Sequence, residues 1–377
     1  MLIITDEDIS VVEKKFGLTF DVESKEFIQC LDSKDIQACP GAGKTTALVA
    51  KLDIISNQMP FPDNSGILVL THTNVAVDEI RLKLGFNAGK LINYPNHIGT
   101  FQTFINKYLA IPMYINIFGK KPTRINSELF YSKLLLKLKS YYLDSFISWS
   151  SEAHNFTNIE SFLNALEVEA DKIVLHQANG KKKTIVNKGK PSYRNIKRAL
   201  SNDVIKSVNE DGYLTYQHCY NFAIEYLNKY PQASKTFQER FKYVFIDEAQ
   251  DTDDRQFTIL SQLFSDSNVV VQKIGDNNQA IFNFLGAKGK GWQIDEKYIE
   301  LKDTKRLSKE IAEVAVRVAL KPHVLNAKDN INIKPTIIIF DDASIEDVIL
   351  KFSELIISHG LHRRKDPIFK AVGGVAK

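Results

Sequence analysis

The clearest chemistry in this chain lies in Ala38-Cys39-Pro40-Gly41-Ala42-Gly43-Lys44-Thr45, which fits A-x-x-G-x-G-K-T and is followed by Thr46. Successive backbone N–H groups in such a loop point inward and cradle phosphate oxygens, and the helix that follows adds its positive end. Gly41 and Gly43 let the backbone approach closely. Lys44 suits the β- and γ-phosphates, and the Thr45 hydroxyl suits a Mg²⁺ ion. The general phosphate-loop pattern begins on glycine, where this chain has Ala38. Taken alone, the bland alternative is a fortuitous glycine turn.

Further along stands Asp247-Glu248-Ala249-Gln250-Asp251, directly after the apolar run Tyr243–Ile246. Carboxylates just past a parallel strand sit where ligands bind in such sheets. Asp247 suits Mg²⁺, and Glu248 suits the orientation and deprotonation of an attacking water. A charged solvated turn is the alternative, and the upstream phosphate loop weakens it. A third cluster, Ile274 to Gln279, also follows an apolar strand, and Gln279 is placed to sense a γ-phosphate or the water attacking it. Phe282 and Phe284 come next, spaced to share one face of an extended segment. Core packing is the ordinary role for such residues; base stacking, worth about 1–3 kcal/mol per base, is the functional one.

Positioning these groups requires alternating strands and helices. Asp35–Ala38 predicts a short strand running into the loop, with a helix over Ala47–Ile55. Gly66–Leu70 predicts a buried parallel strand with a helix over Val75–Leu84; Tyr243–Ile246 and Asn268–Val271 predict two more strands. Strands alternating with helices imply an α/β domain on a parallel sheet. From Phe104 to Tyr220 the pattern becomes helical, over Ser127–Trp149, Ile159–His176 and Asn195–Val208, and reads as an insertion. Inside it Lys181, Lys182, Lys183, Lys188 and Lys190 form a basic loop, either solvated or a contact for a phosphate backbone. After Asp303 a new unit begins, with helices over Ser308–Ala319 and Ser344–His359 and a strand over Thr336–Phe340.

Composition narrows the class without choosing a function. The 377 residues are 44% hydrophobic and 25% charged, with net charge +4. That suits a globular protein of two or three domains and permits a polyanion partner. No stretch is apolar enough to span a bilayer, and Asp6, Glu7 and Asp8 argue against a secretory leader, so a cytoplasmic protein with no membrane partner is expected. Cys30, Cys39 and Cys219 are too few and scattered for a disulfide framework or a zinc site.

In its order of motifs the chain resembles the UvrD/Rep/PcrA-type helicases of superfamily 1. Ala38–Thr45 resembles motif I, Thr71–Glu79 motif Ia, Gly99–Phe104 motif Ib, Asp247–Asp251 motif II, Gly275–Ala287 motif III and Thr304–Ser308 motif IV. The resemblance implies a RecA-like P-loop NTPase domain in two parts, 1–104 and 221–300. A mainly helical accessory insertion at 105–220 would interrupt it, and 301–377 would begin a second RecA-like domain. It also implies ATP with Mg²⁺ as cofactors and hydrolysis coupled to 3′–5′ movement on single-stranded or partly duplex DNA. Lys44, Glu248, Gln279 and Arg306 would be catalytic. Thr71, His72, Asn74, Thr100, Gln102, Phe282 and Phe284 would meet DNA.

The departures are specific. Where the family usually has Phe in motif Ia and His in motif Ib, this chain has His72 and Gln102; the motif III Trp and Arg are Phe284 and Leu285. Motifs V and VI do not occur in these residues, so the stretch is expected to hydrolyse ATP poorly by itself, lacking a second arginine worth roughly 10³–10⁵ in rate. The variant DNA-contact positions leave room for another class of function, a nucleotide- or DNA-sensing subunit of an antiphage complex of the Gabija type with an OLD-family nuclease as partner. A P-loop kinase fits less well, because Asp247–Asp251 and Gly275–Gln279 would have no task in it. Thr46 and Lys305 replace the arginine and tyrosine that sandwich adenine in the family, and no glutamine stands at the usual place to read the base, Gln29 being too near the loop. Phe16, Phe20 or Phe27 would be the alternative stacking face. Phosphate contacts then carry most of the affinity. Competition among ATP, GTP and CTP is therefore expected to show less than about tenfold preference for ATP, roughly 1.4 kcal/mol. A larger preference would mean that another residue reads adenine.

Overall fold

The computed structural model describes residues 2–141, 159–169, 172–176, 182–184, 204–265, 267–279, 292–319, 324–329, 333–363 and 367–370. The chain divides into two compact units, Met1–Ala38 with Gly43–Leu301, and Cys39–Ala42 with Lys302–Lys377.

In the first unit six strands form one parallel sheet: β1 (Lys34–Ala38), β2 (Gly66–Thr71), β3 (His97–Thr100), β4 (Phe241–Asp247), β5 (Val270–Gly275) and β6 (Tyr298–Leu301). Their spatial order is β6-β1-β5-β4-β2-β3, every neighbouring pair parallel. Parallel strands need crossovers and are covered on both faces, so central strands read as continuous apolar runs. β2 is buried at every residue, and β4 at all but Lys242. β1 carries polar Asp35 and Gln37 into this interior, and each is satisfied there. Trp292 Nε1 donates to Asp35 Oδ2 at 2.9 Å and Lys273 Nζ lies 3.1 Å from Asp35 Oδ1. Gln37 Nε2 donates to Asp276 Oδ1 at 3.0 Å.

Helices α1 (Asp6–Phe16), α2 (Val22–Gln29) and α3 (Lys44–Asn57) pack together on the sheet. The start of α1 is fixed by a Thr5–Asp8 capping box, and its end by Gly17 at φ 65°. α3 is buried along almost its whole length, and inside it lies the charged residue Lys51 at 0% exposure. Its ammonium donates to Phe27 O at 2.9 Å, to Cys30 O and to Gln272 Oε1 at 2.8 Å, and sits over the rings of Phe27 and Phe245. Burial pushes its pKa down to about 7. Three acceptors and two aromatic faces hold the proton against that pull.

α4 (Asn74–Leu84) follows β2, capped by Thr73, and α5 (Phe101–Ile105) follows β3, capped by Thr100. α5 runs on through a π-helical turn at Asn106–Ala110 into Ile111–Phe118. Beyond it α6 (Ser127–Tyr141) supplies Phe130, Leu134 and Leu138 to a separate apolar cluster with Phe162, Leu166 and Leu175. α7 (Tyr216–Lys229) returns the chain to the sheet, and α8 (Asp254–Phe264) follows β4 with a capping box of Asp253 and Gln256.

Two sequence expectations change here. The helix expected over Ile159–His176 stops at Asn164, and Leu166–Glu169 pairs antiparallel with Lys172–His176, which pairs antiparallel in turn with Lys182–Thr184. Val168, Ile173 and Val174 are β-branched, and hydrogen bonding to a neighbouring strand outweighs the helical spacing of the apolar residues. Of the basic loop, Lys182 and Lys183 lie on that last strand, and the other lysines fall outside the described residues. In the second unit the strand expected over Thr336–Phe340 is irregular backbone, with Ile337 and Ile339 86% and 92% exposed. Alternating apolar residues form a strand only where a neighbouring edge takes their hydrogen bonds, and among the described residues none pairs with them. That unit instead pairs β7 (Asp303–Ser308) in parallel with β8 (Asn326–Asp329), and carries α9 (Lys309–Val318) and α10 (Val348–Ser358).

Among the described residues no helix is long and apolar enough to cross a membrane, and none of the three cysteines forms a disulfide. Replacing Lys51 by Met is expected to destabilise the chain by about 3 kcal/mol, because the buried acceptors Phe27 O and Gln272 Oε1 lose this donor. Urea unfolding checks it, and an unchanged midpoint would mean that the ammonium contributes nothing net.

Candidate nucleotide site and groove

β1 ends at Ala38, the chain turns through Gly41 and Gly43 at φ 81° and 82°, and α3 begins at Lys44. Both glycines occupy the left-handed region that a side chain disfavours. Gly41 has a second constraint within its own unit. A Cβ there would fall on Thr304 Oγ1 and Arg306 Cβ, because Thr304 Oγ1 donates to Pro40 O at 2.7 Å and Lys305 N donates to Gly41 O at 3.0 Å. Cys39 donates its thiol to Lys302 O, and Ala42 N donates to Cys39 O at 3.0 Å. Thr45 and Thr46 lie in the first turn of α3, where unpaired N–H groups and the helix dipole favour anions.

Lys44 Nζ is ion-paired with Glu248 Oε2. Glu248 stands at φ 54°, ψ 45°, an uncommon conformation for a residue with a side chain and of the kind that gathers at functional sites. Asp247 Oδ1 accepts from Glu248 N at 3.0 Å, and Asp251 N donates to Glu248 O at 2.9 Å, which together fix this turn. Burial pushes the Glu248 carboxyl up, but the ion pair and hydrogen bond with Lys44, then the Gln250 amide, pull it below its ordinary range. Asp247 is 1% exposed, and burial raises its pKa to about 6 despite Lys44.

From Glu248 the hydrogen bonds continue inward. Gln250 Nε2 donates to Glu248 Oε2 at 2.7 Å, and Gln250 Oε1 accepts from Asp276 N at 3.0 Å. Asp276, fully buried, accepts from Gln37 Nε2, from Asn278 N at 2.9 Å and from Gln279 Nε2 at 2.9 Å. Gly275 must lack a side chain because a Cβ would meet Gln250 Oε1 and Trp292. One connected set thus runs from Lys44 to Gln279 along the carboxyl ends of β1, β4 and β5.

Sequence reasoning singled out Glu248 and Gln279 but not Gln250 and Asp276, which join them. Their signal was the glutamine and aspartate inside motifs already noted. It also passed over Glu79 and Lys83. Lys83 Nζ lies 2.7 Å from Glu79 Oε1 and 3.5 Å from Thr46 Oγ1, and the Glu79 charge contributes to raising Asp247. Of the alternative stacking faces, Phe20 and Phe27 are core residues at 6% and 0% exposure, and Phe16 is half-buried. Gln29 Nε2 is held by Asp6 Oδ1 at 2.8 Å.

The residues expected to meet DNA divide into groups. His72, Asn74, Thr100 and Gln102 line one cavity of about 640 Å³, together with Phe101, Tyr216, Tyr220 and Gln256. Thr71 is buried and donates to Thr73 O at 3.0 Å, holding the turn into α4. Thr100 Oγ1 accepts from Thr103 N, and Gln102 Nε2 donates to Asn106 Oδ1 at 2.7 Å. Tyr216, the first residue of α7 and 47% exposed, was not anticipated. Phe282 and Phe284 lie outside the described residues.

A parallel sheet carrying a glycine turn, a Lys44–Glu248 pair and a buried aspartate at its carboxyl edge defines a P-loop NTPase fold of the RecA-like kind. The chain belongs to the UvrD/REP helicase N-terminal domain family, which matches residues 22–299. It is similar to a probable DNA helicase II homolog of Mycoplasma genitalium, 24% identical over 277 residues, covering 70% of this chain and 36% of that protein. It is also similar to an ATP-dependent helicase/nuclease subunit of Streptococcus sanguinis, 35% identical over 103 residues, covering 25% of this chain and 8% of that protein. The chain thus spans about a third of the first relative's length.

Two substitutions separate binding from turnover. Lys44→Ala removes the cation that pairs with Glu248 and that the sequence assigns to the phosphates, so ATP affinity is expected to fall. Glu248→Gln keeps the shape and removes the carboxylate that the sequence assigns as the base, so ATP is expected to bind and persist while turnover falls on the order of 10²–10⁴-fold. Equilibrium nucleotide binding with single-turnover hydrolysis reads both, and wild-type turnover by Glu248→Gln would remove the base assignment.

Proposed function

We propose that this chain is the nucleotide-binding motor portion of an ATP-dependent DNA helicase or translocase that moves 3′ to 5′ on single-stranded DNA. The observation that carries the reading is the connected set from Lys44 through Glu248, Gln250 and Asp276 to Gln279. In this reading the backbone of Ala38–Thr46 cradles the phosphates of ATP. Lys44 leaves Glu248 for the β- and γ-phosphates, and the freed carboxylate orients the attacking water. Gln279 senses the γ-phosphate, and Arg306 contributes positive charge to it. Mg²⁺ would be held by Thr45 and Asp247 and would neutralise developing charge on the phosphates. The donors fit that ion: both are hard oxygens, and a carboxylate as deeply buried as Asp247 is stabilised by a nearby cation.

The groove at His72, Asn74, Thr100 and Gln102 would take the DNA strand, with phosphates on Asn74 and Thr100 and bases against the rings. The polarity comes from the family resemblance. The reading puts the protein in the cytoplasm, beside its substrate. One further observation favours a second reading. The likeness to a protein named as a helicase/nuclease subunit fits a chain whose nucleotide state controls a partner nuclease, such as one of the OLD family. Co-purification with such a nuclease, with ATP altering its cleavage but no strand displaced, would favour it.

The test of the first reading is oligonucleotide binding by this chain with and without a non-hydrolysable ATP analogue. The analogue is expected to change the affinity. Asn74→Ala is expected to weaken binding of the strand, by about 1 kcal/mol for a lost hydrogen bond, while the analogue still binds. Intact ATP binding with no affinity for single-stranded DNA would overturn the reading. Preferential displacement of strands from 5′-tailed duplexes would overturn the polarity.

A further inference from the structure

His72 stands at the point where the groove and the nucleotide site approach one another. Its ring lines the cavity beside Asn74, Thr100 and Gln102, and lies 5.2 Å from the Phe101 ring at an interplanar angle of 36°. On the other side its Nε2 is 3.0 Å from Thr252 Oγ1. Thr252 is buried, and its N–H donates to Ala249 O at 3.1 Å, so the partner of the imidazole belongs to the turn that carries Glu248. Among the described residues no other hydrogen bond holds the ring, so Nδ1 is available to a ligand in the cavity.

We propose that His72 makes strand binding proton-linked: the imidazole takes up a proton as a nucleic-acid phosphate enters the groove, and the resulting cation is a contact for that phosphate. This rests on the reading of the groove as the strand's path, and adds to it a titratable contact where the family usually has an uncharged ring.

The surrounding charges define the direction. Burial pushes the imidazole below its ordinary pKa, while the carboxylates of Glu248 and Asp253, both from the segment after β4, pull the other way without overcoming it. From α5 the ring meets Phe101, and Gln102 and Thr103 line the same cavity, none of them charged. From α7 the cavity receives the phenols of Tyr216 and Tyr220, and Arg255 of α8 lies over the Tyr220 ring. At neutral pH His72 in the free groove is therefore mostly unprotonated. A phosphate anion beside it favours the imidazolium and raises its proton affinity. By linkage, affinity for the strand rises as pH falls through the bound-state pKa, by up to tenfold per pH unit, and levels off once the free groove is also protonated.

The experiment uses this 377-residue chain and an oligothymidylate carrying a rhodamine label, since neither thymine nor that dye titrates in the range studied. Anisotropy is read between about pH 8 and about pH 5.5, a span that brackets an ordinary histidine. Wild-type affinity is expected to strengthen toward acid, with the salt dependence steeper by about one counterion at the acid end. His72→Phe keeps a ring without a proton, and His72→Asn keeps a polar group without a charge. Both variants are expected to lose this part of the pH slope, whatever their absolute affinity. Calorimetry in buffers of different ionisation enthalpy should report proton uptake on binding in the wild type and less in either variant. A wild-type affinity independent of pH, or variants as steep as the wild type, would overturn the inference and leave the groove reading intact. No binding of the strand at any pH would overturn both.

Discussion

Lys44 and Glu248 face each other at the carboxyl edge of the sheet, and the polar interior behind them is arranged around that pair. Two opposite charges this close to a core are tolerable only if their remaining donors and acceptors are satisfied. Gln250 serves Glu248 on one side and the Asp276 backbone on the other; Asp276 in turn collects the amides of Gln37 and Gln279. Removing one member leaves another buried group without a partner, so the set behaves as a unit rather than as separate contacts. The absence of a side chain at Gly275 follows from the room this arrangement needs.

Strand order brings the two candidate sites together. β3, β2, β4, β5 and β1 are consecutive neighbours, and their carboxyl ends carry Thr100, His72, Asp247, Asp276 and the glycine turn in that sequence. Adjacent strands lie about 4.8 Å apart. The groove on β3 and β2 is therefore one strand from the carboxylates on β4. α4 spans both regions by itself. Its first residue, Asn74, lines the groove, while Glu79 and Lys83, one and two turns on, stand beside Asp247 and Thr46.

Much of this was legible in local patterns. Glycine turns, apolar runs of strand length and helical spacing are short-range signals, and they located β1, β2, β4, β5 and the starts of α3 and α4 to within a few residues. β3 and β6 escaped because His97-Ile98-Gly99-Thr100 and Tyr298-Ile299-Glu300-Leu301 carry too few apolar residues to stand out. The hairpin after Asn164 was misread because apolar residues near helical spacing also fit a pair of strands, and only pairing decides between them. In the candidate site, residue types were readable but connections were not. That Gln250 joins Glu248 to Asp276, or that Tyr216 reaches the cavity of His72, depends on contacts between segments far apart in the chain. Lys51 gave no warning at all, since a lysine in a helix ordinarily reads as a solvated one.

That buried lysine also bears on how the unit opens. Its ammonium ties the middle of α3 to the end of α2 and to Gln272 of β5, so none of the three can separate from the others without stranding a charge or its acceptors in a dry interior. Local opening of α3 alone is thereby costly, and α3, α2 and β5 form one cooperative block. The exposed α4, held by a short apolar face of Val77, Ile80 and Leu84, has no such anchor. Amide protons in the block should accordingly exchange only with global unfolding, while those of α4 exchange by opening on a smaller scale, leaving the helix that touches both sites as the softer element against a rigid floor.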